Sequence, residues 1–273
     1  MREIIVVWQI LFFGLPLLFL VFGSVGYMEN YTLHYVPPTL QNFEDLLNNN
    51  IFWNSLAETA KTSFLTAVVA VIIAVIIAPS VVWGISSRLQ FFVILLFLIP
   101  LITGYAIRIF AWHQIFLENS QFTYFLQTMG LLGDDESLAY TRTALIIVYV
   151  SQYVAPVIIY PIVSLLQIRK ENILAARNLG ATKLIVIRDF IFPSMLTSQA
   201  VVFCVVFLLT FGDGLAAPVV GGQSGLTLSM LLNDEYRINA WPNAMALSSV
   251  LAFMVGIPLL IILLFGFKKI QAS

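Results

Sequence analysis

Charge is what this sequence has least of. Only 10% of its 273 residues are charged and 60% are hydrophobic, whereas an ordinary soluble domain carries about 25% charged residues. A soluble fold this apolar would lack the polar surface to stay dispersed, so the expected solvent is a bilayer. The net charge of −1 excludes a strongly basic nucleic-acid surface. Cysteine is nearly absent. Cys204, the single one, cannot close an internal disulfide and reads as a small buried hydrophobe. The two histidines, His34 and His113, are too few for a zinc cluster. There is no G-x-x-x-x-G-K-[S/T] loop, no G-x-S-x-G and no nucleophile–base pair, so the chain is not expected to be an enzyme and holds no cofactor of its own.

What the sequence does contain is long apolar runs. About 20 apolar residues cross the hydrocarbon of a bilayer, and six runs qualify, at roughly 4–27, 60–85, 91–115, 143–168, 195–219 and 244–267. The first is too long for the apolar core of a signal peptide and reads as a retained helix. The expected class is therefore an all-α, polytopic membrane protein of about six transmembrane helices. Pro16, Pro79, Pro100, Pro156, Pro161 and Pro258 fall within the runs, where neighbouring helices and waters can satisfy the freed backbone groups. Between the runs, a short helix is expected near Phe43–Leu47, and another with a turn in 116–142.

Basic residues are unevenly distributed. One set of connections holds Arg2, Arg88, Arg169, Lys170, Arg177, Lys183, Arg188, Lys268 and Lys269 against three acids, Glu3, Glu171 and Asp189. The opposite side and its helix ends hold Lys61, Arg108, Arg142 and Arg237 against the remaining eleven acids. By the positive-inside rule, both termini and the 169–193 segment are expected in the cytoplasm.

That segment is the unusual one. Within "LAARNLGATKLIVIRDFIFPSM", residues 174–195, Glu171 to Leu179 favour helix with Asn172 as a possible N-cap. Gly180 can take a positive φ and end it. Thr182 can cap a second helix to about Asp189, and Pro193 begins the return to the membrane. The result is a helix–Gly–helix elbow whose Ala175 and Ala176 permit close approach by a partner. The alternative is a solvated loop that only sets orientation.

The elbow resembles the cytoplasmic "EAA" loop of permeases of binding-protein-dependent ABC importers, which runs Glu-Ala-Ala, three residues, Gly, then about nine residues to Ile-x-x-Pro. Ala175, Ala176, Gly180 and Pro193 match, and Ala175-Ala176-Arg177-Asn178-Leu179-Gly180-Ala181 follows the frequent A-A-R-x-L-G-A form. Leu174 stands where the pattern has Glu, with Glu171 the nearest acid, and Phe190 stands where it has Ile. "IPLITGYAIRIFAW" (Ile99–Trp112), "GDGLAAPVVGG" (Gly212–Gly222) and Pro242 in "AWPNA" resemble segments of the spermidine/putrescine permeases in particular.

This resemblance implies a type I ABC importer permease fold, with a first helix and outer loop at 1–58 and a five-helix core at 59–273. It also implies a location in the bacterial inner membrane. ATP and Mg would be handled by a separate dimeric cytoplasmic ABC ATPase acting on Leu174, Ala175, Ala176, Arg177, Gly180, Ala181 and Pro193. The implied partners are that ATPase, a second, related permease subunit, an extracytoplasmic substrate-binding protein and membrane lipid, with no nucleic acid. The cargo it implies is a polyamine; an iron complex, an amino-acid-like solute or another organic cation are the alternatives. A secondary transporter or channel would be expected to show inverted repeats and intramembrane charges, and a scaffold would have no use for the elbow.

Ionisable residues inside spans are cargo candidates because burying them is costly. Asp213, between Gly212 and Gly214, could attract a cation or could cap a turn. Arg108 would repel a polyamine and is expected to pair with a carboxylate or with carbonyls, or to snorkel outward. Tyr105 and Trp112 share its helical face and could hold an ammonium group by cation–π contact or sit in an interfacial belt. Tyr153 and Gln152, in "SQY", could line the path or bond between helices.

Overall fold

The computed structural model describes residues 7–29, 32–168, 170–222 and 226–271. Of the charges used for orientation, Arg2, Glu3 and Arg169 lie outside them. The helices are α1 (Val7–Ser24), α2 (Gln41–Asn48), α3 (Asn50–Gly84), α4 (Ser87–Ile102), α5 (Tyr105–Phe116) and α6 (Gln121–Thr128). They continue with α7 (Arg142–Leu166), α8 (Lys170–Asn178), α9 (Leu184–Phe211), α10 (Leu228–Arg237) and α11 (Trp241–Gln271). A two-stranded antiparallel hairpin, β1 (Tyr27–Glu29) and β2 (Thr32–His34), pairs Tyr27 with His34. Among the described residues five helices are long and apolar enough to cross a membrane, and α4 with α5 make a sixth span if the bent pair counts as one.

The third apolar run is therefore not one straight helix. α4 and α5 meet at 92°, with Thr103 and Gly104 both in extended backbone. Pro100, a few residues before the break, removes a backbone donor and crowds the preceding turn. Two other boundaries also move. α3 starts ten residues before the expected 60. α9 spans 184–211 rather than 195–219, so Pro193 lies inside it. Ahead of Pro193 the helix widens into a π-helical turn, Ile187–Ile191, and the same device, Ile10–Gly14, precedes Pro16 in α1. In each case the carbonyl four residues before the proline, which has no N–H to receive, falls within the wide turn.

The chain packs as two units. The first comprises Met1–Thr59, Phe211–Pro218 and Gly225–Ser273. Here α1 lies along α11; Gly23 has no side chain where the Met245 thioether sits. The Asn42 side-chain amide donates to the carbonyls of Ser24 and Gly26 at 2.7 Å each, fastening α2 to the end of α1. Phe52, Leu228, Leu231 and Leu247 form the core. The Leu228 N–H, at the start of α10, donates to Thr59 Oγ1 at 2.8 Å. A side chain 169 positions away thus fills an orphan donor of the first turn.

The second unit comprises Ala60–Thr210 and Val219–Ser224. Its core is a stripe of fully buried alanines on α3, Ala67, Ala70, Ala74 and Ala78, packed with Val157, Ile158 and Ile162 of α7 and Val202 and Val206 of α9. Small residues at helical spacing let helices approach closely, which is how membrane helices gain dispersion contact without a hydrophobic driving force. Gln90 of α4 donates to the Val81 and Val82 carbonyls at 2.9 and 3.0 Å, satisfying the C-terminal end of α3. Ser164 of α7 donates to the Ser194 carbonyl of α9 at 2.8 Å.

Outside the spans, α10 carries a misfit charge. Glu235 Oε2 is buried with no partner among the described residues. Burial raises the Glu235 pKa above the ordinary carboxylate value, the Asn243 hydrogen bond works against that, and Asp234 adds to it. A folded state that holds the proton more tightly than the unfolded one is most stable below the unfolded pKa. It loses that stability as pH rises toward the folded value. Glu235→Gln is therefore expected to raise the melting temperature at neutral pH and to flatten its decline above about pH 4.5, as thermal melts across a pH series would show.

Candidate functional site

The elbow is a helix end of defined chemistry. After α8 closes at Asn178, the Gly180 N–H donates to the Arg177 carbonyl and the Ala181 N–H to the Ala176 carbonyl, both at 3.0 Å. Gly180 has φ +90°. This is a Schellman ending, and the matched residues Ala176, Arg177, Gly180 and Ala181 are the ones that build it. The Ile185 N–H then reaches Thr182 Oγ1 at 3.4 Å, so Thr182 caps the second helix. Asn172 is not a cap; α8 already starts at Lys170, which leaves Asn172 inside the first turns.

The outer side of the elbow is bare. Leu174, Leu179 and Leu184 are 58%, 89% and 77% exposed, Ala175, Arg177 and Gly180 are exposed, and Ala176 and Ala181 are half-buried. A Cβ built on Gly180 meets no other described atom within 4 Å. On the other side Ile173 and Arg177 of α8 and Val186, Ile187 and Ile191 border an open groove of about 330 Å³ that Trp83, at the end of α3, also lines. Pro193 is exposed on α9 and takes no part in the elbow's hydrogen bonds described above.

The structure brings together Tyr105, Trp112 and Tyr153 around Arg108. The Arg108 guanidinium donates to the Gln152 carbonyl at 3.3 Å, the carbonyl pairing expected for it, and Tyr105 and Tyr153 are its electrostatic neighbours. Arg108 Nε has no hydrogen-bond partner among the described residues. Trp112 lines the same cavity as Arg108 and stacks on Phe116 at 5.3 Å. Gln152 does not line that cavity; it is 3% exposed, with neither side-chain amide atom hydrogen-bonded among the described residues. Gln199 of α9 is buried in the same condition. Asp213 belongs to the other unit. Its Oδ2 accepts the N–H groups of Leu215 at 3.3 Å and Ala216 at 2.7 Å, capping the turn that leads into a π-helical segment, Ala217–Gly221.

No protein-family model matches the chain. Spermidine/putrescine transport system permease protein PotB of Escherichia coli (strain K12) is 25% identical over 265 residues, 94% of this chain and 93% of that protein. The proteins of the same name from Shigella flexneri and Salmonella typhimurium (strain SL1344) are also 25% identical over 265 residues, covering 93% and 89% of their lengths. Two solved structures share the fold. One is a bacterial ABC transporter involved in the import of the acidic polysaccharide alginate, at TM-score 0.74 and 14% identity, covering 98% of this chain and 93% of the other. The second is the bacterial alginate ABC transporter in complex with an alginate pentasaccharide-bound periplasmic protein, at TM-score 0.72 and 15% identity, covering 97% and 90%. Each likeness runs over almost the whole of both chains, so it is the architecture that matches and not a local motif.

Proposed function

We propose that the chain is a permease of the ABC-importer kind that forms half of a translocation pathway for a polyamine-like cation. In this reading it is driven through the elbow at about 169–193, which turns at Gly180, by a separate cytoplasmic ATPase dimer that holds ATP and Mg. The observation that carries the coupling is the Schellman ending at Gly180: a hydrogen-bonded bend with a bare outer face. Leu174 offers the ATPase an apolar side chain where the resembled pattern has a carboxylate. The charge asymmetry of the connections supports cytoplasmic termini and elbow. A second permease of related sequence would complete the pore, and a cargo-binding protein would dock on the opposite side.

The polyamine reading rests on similarity to relatives so named and on Asp213. It draws nothing from the Arg108 cavity, where a cation would meet charge of its own sign, so Tyr105, Trp112 and Tyr153 are not carried forward as cargo contacts. Asp213 both caps a turn and supplies charge, and two substitutions separate the roles. Asn keeps an acceptor oxygen for the Leu215 and Ala216 N–H groups; Ala removes it, at about 1 kcal/mol for a lost cap. Asp213→Asn is expected to leave thermal stability unchanged and to raise the half-saturating spermidine concentration severalfold. Asp213→Ala is expected to lose both. The assay is ATP-dependent uptake of labelled spermidine by proteoliposomes holding the chain with its ATPase, second permease and binding protein. Wild-type uptake kinetics in Asp213→Asn would remove this residue from the path. Full-speed uptake without the ATPase would remove the coupling reading.

A further inference from the structure

We propose that the break between α4 and α5, with the Arg108 groove beside it, is the face on which the second permease packs, and that this partner presents a carboxylate to the guanidinium. The inference rests on the reading of the chain as one of a pair of permeases, but not on the cargo or on the elbow.

Depth comes first. Gln152 lies ten residues after Arg142, the first of the 25 residues of α7. At about 1.5 Å per residue its carbonyl is near the middle of the ~30 Å hydrocarbon. Arg108 donates to that carbonyl at 3.3 Å, so the guanidinium sits at mid-span. Thr103 and Gly104, about one turn before Arg108, are therefore inside the membrane as well. Both are in extended backbone and exposed, and α5 starts without a side-chain cap because its N-cap is Gly104. Ile102 and Ile107, on either side of the break, are 85% and 72% exposed. Ile107 lies against Gly104, with its Cδ1 3.4 Å from where a Cβ would stand.

Hydrocarbon cannot cover this face. Non-helical backbone at membrane depth persists only where protein buries it or water reaches it. The guanidinium adds to that demand. It makes one hydrogen bond among the described residues, to Gln152, and its Nε–H makes none, although a guanidinium has five donors. Charges at this depth pair with one another or with carbonyls, or face a water-filled cavity. The groove's wall and sign decide between protein and water. Its volume is about 580 Å³, and Val69 and Ile73 of α3 with Ile147 and Val154 of α7 make much of its wall, a surface that gains by leaving water. The Ser151 hydroxyl on that wall already donates to the Val148 carbonyl at 2.7 Å. A fixed cation also opposes the passage of a cationic cargo. No acidic residue lines the groove among the described residues, so the countercharge comes from outside the chain. A neighbouring subunit that brings apolar side chains to the wall and a carboxylate to the guanidinium fork satisfies both halves.

The test uses a Cys204→Ser chain reconstituted in nanodiscs with its ATPase, second permease and binding protein. A benzophenone maleimide on Ile107→Cys is expected to cross-link the second permease on irradiation, as mass spectrometry of the product would show. The unmodified Ile107→Cys thiol is expected to react with a charged, membrane-impermeant methanethiosulfonate about tenfold more slowly than Tyr124→Cys, a 68% exposed position between α5 and α7. Cross-links confined to lipid overturn the proposal. So does a thiol as reactive as that of Tyr124→Cys, which would assign the face to the aqueous pathway. Arg108→Gln is expected to lower the share of the chain that co-purifies with the second permease on the order of tenfold, and Arg108→Lys, which keeps charge but not the fork, to lower it less. Unchanged co-purification in Arg108→Gln, or Arg108→Lys no better than Arg108→Gln, removes the ion pair. Should Arg108→Gln fail to fold, the Ile107→Cys cross-link, made with Arg108 in place, decides alone. A wild-type chain that purifies without a second permease refutes the paired reading and this proposal with it; a pair that forms without the cross-link refutes the proposal alone.

Discussion

Gly180→Trp is expected to abolish coupled transport while leaving the permease in the membrane. The two halves of that expectation have separate grounds. Nothing in the described chain lies within 4 Å of a Cβ on Gly180, so an indole there displaces no neighbour in the permease itself. What it alters is the bare face. A non-glycine residue at φ +90° costs about 1–2 kcal/mol, and the added bulk stands where an ATPase would have to approach. Uptake by the complete reconstituted importer is expected to fall at least tenfold, and its ATP turnover to stop responding to loaded binding protein. Gly180→Ala separates strain from bulk. It carries only the conformational cost, about 1 kcal/mol, or roughly fivefold in a docking equilibrium. Immunoblots of membranes, the ATPase rate and uptake are measured side by side. Wild-type uptake in Gly180→Trp would refute docking at the elbow. Disappearance of the chain from the membrane would mean that Gly180 serves folding instead.

The elbow was readable from sequence because every part of it is local. A glycine that must adopt positive φ, a threonine that caps, and the alanines between them act on neighbours within five residues, and the structure uses Gly180 and Thr182 as the sequence implied. The apolar spans were readable for a similar reason, since hydrocarbon thickness alone sets their length. The bend at Thr103 and Gly104 was not. Composition across Ile99–Trp112 stays apolar through the break, and Pro100 is one of several prolines in spans, most of which leave their helix continuous. The cap that Thr59 gives to α10 was out of reach for another reason: its partner is 169 positions away and nothing in either local sequence points to the other. Asp213 lay between. A carboxylate beside two glycines is equally a cap or a charge for cargo, and only the 2.7 Å bond from the Ala216 N–H fixes the first role. The groove at Arg108 draws on α3, α4, α5 and α7, so sequence could show the cation but not the apolar wall it heads.

Gly222→Ala is expected to be strongly destabilising, and Gly214→Ala, in the same glycine-rich stretch, nearly silent. Gly222 lies at φ +55°, where an alanine is strained by about 1–2 kcal/mol. A Cβ there would run into the Tyr140 Cβ and would stand 2.9 Å from its Cα and 3.0 Å from its carbonyl oxygen. Backbone atoms cannot rotate aside as a side-chain tip can. Tyr140 is itself at φ 62°, its hydroxyl is 3.2 Å from His113 Nε2, and the next residue, Thr141, caps α7 through the Ala144 N–H at 3.1 Å. Moving Tyr140 would therefore disturb both its tie to α5 and the start of α7. Strain and overpacking together give about 2–4 kcal/mol. Gly214 has no described atom within 4 Å of its built Cβ and no positive φ, so its alanine variant should stay within about 0.5 kcal/mol of the parent. Melting temperatures in one detergent, read by tryptophan fluorescence, compare the two directly. Since unfolding of a membrane protein is rarely two-state, the ordering of the midpoints is the quantity to judge. A Gly222→Ala midpoint equal to that of Gly214→Ala would mean that the close approach of Gly222 to Tyr140 does not hold this unit together.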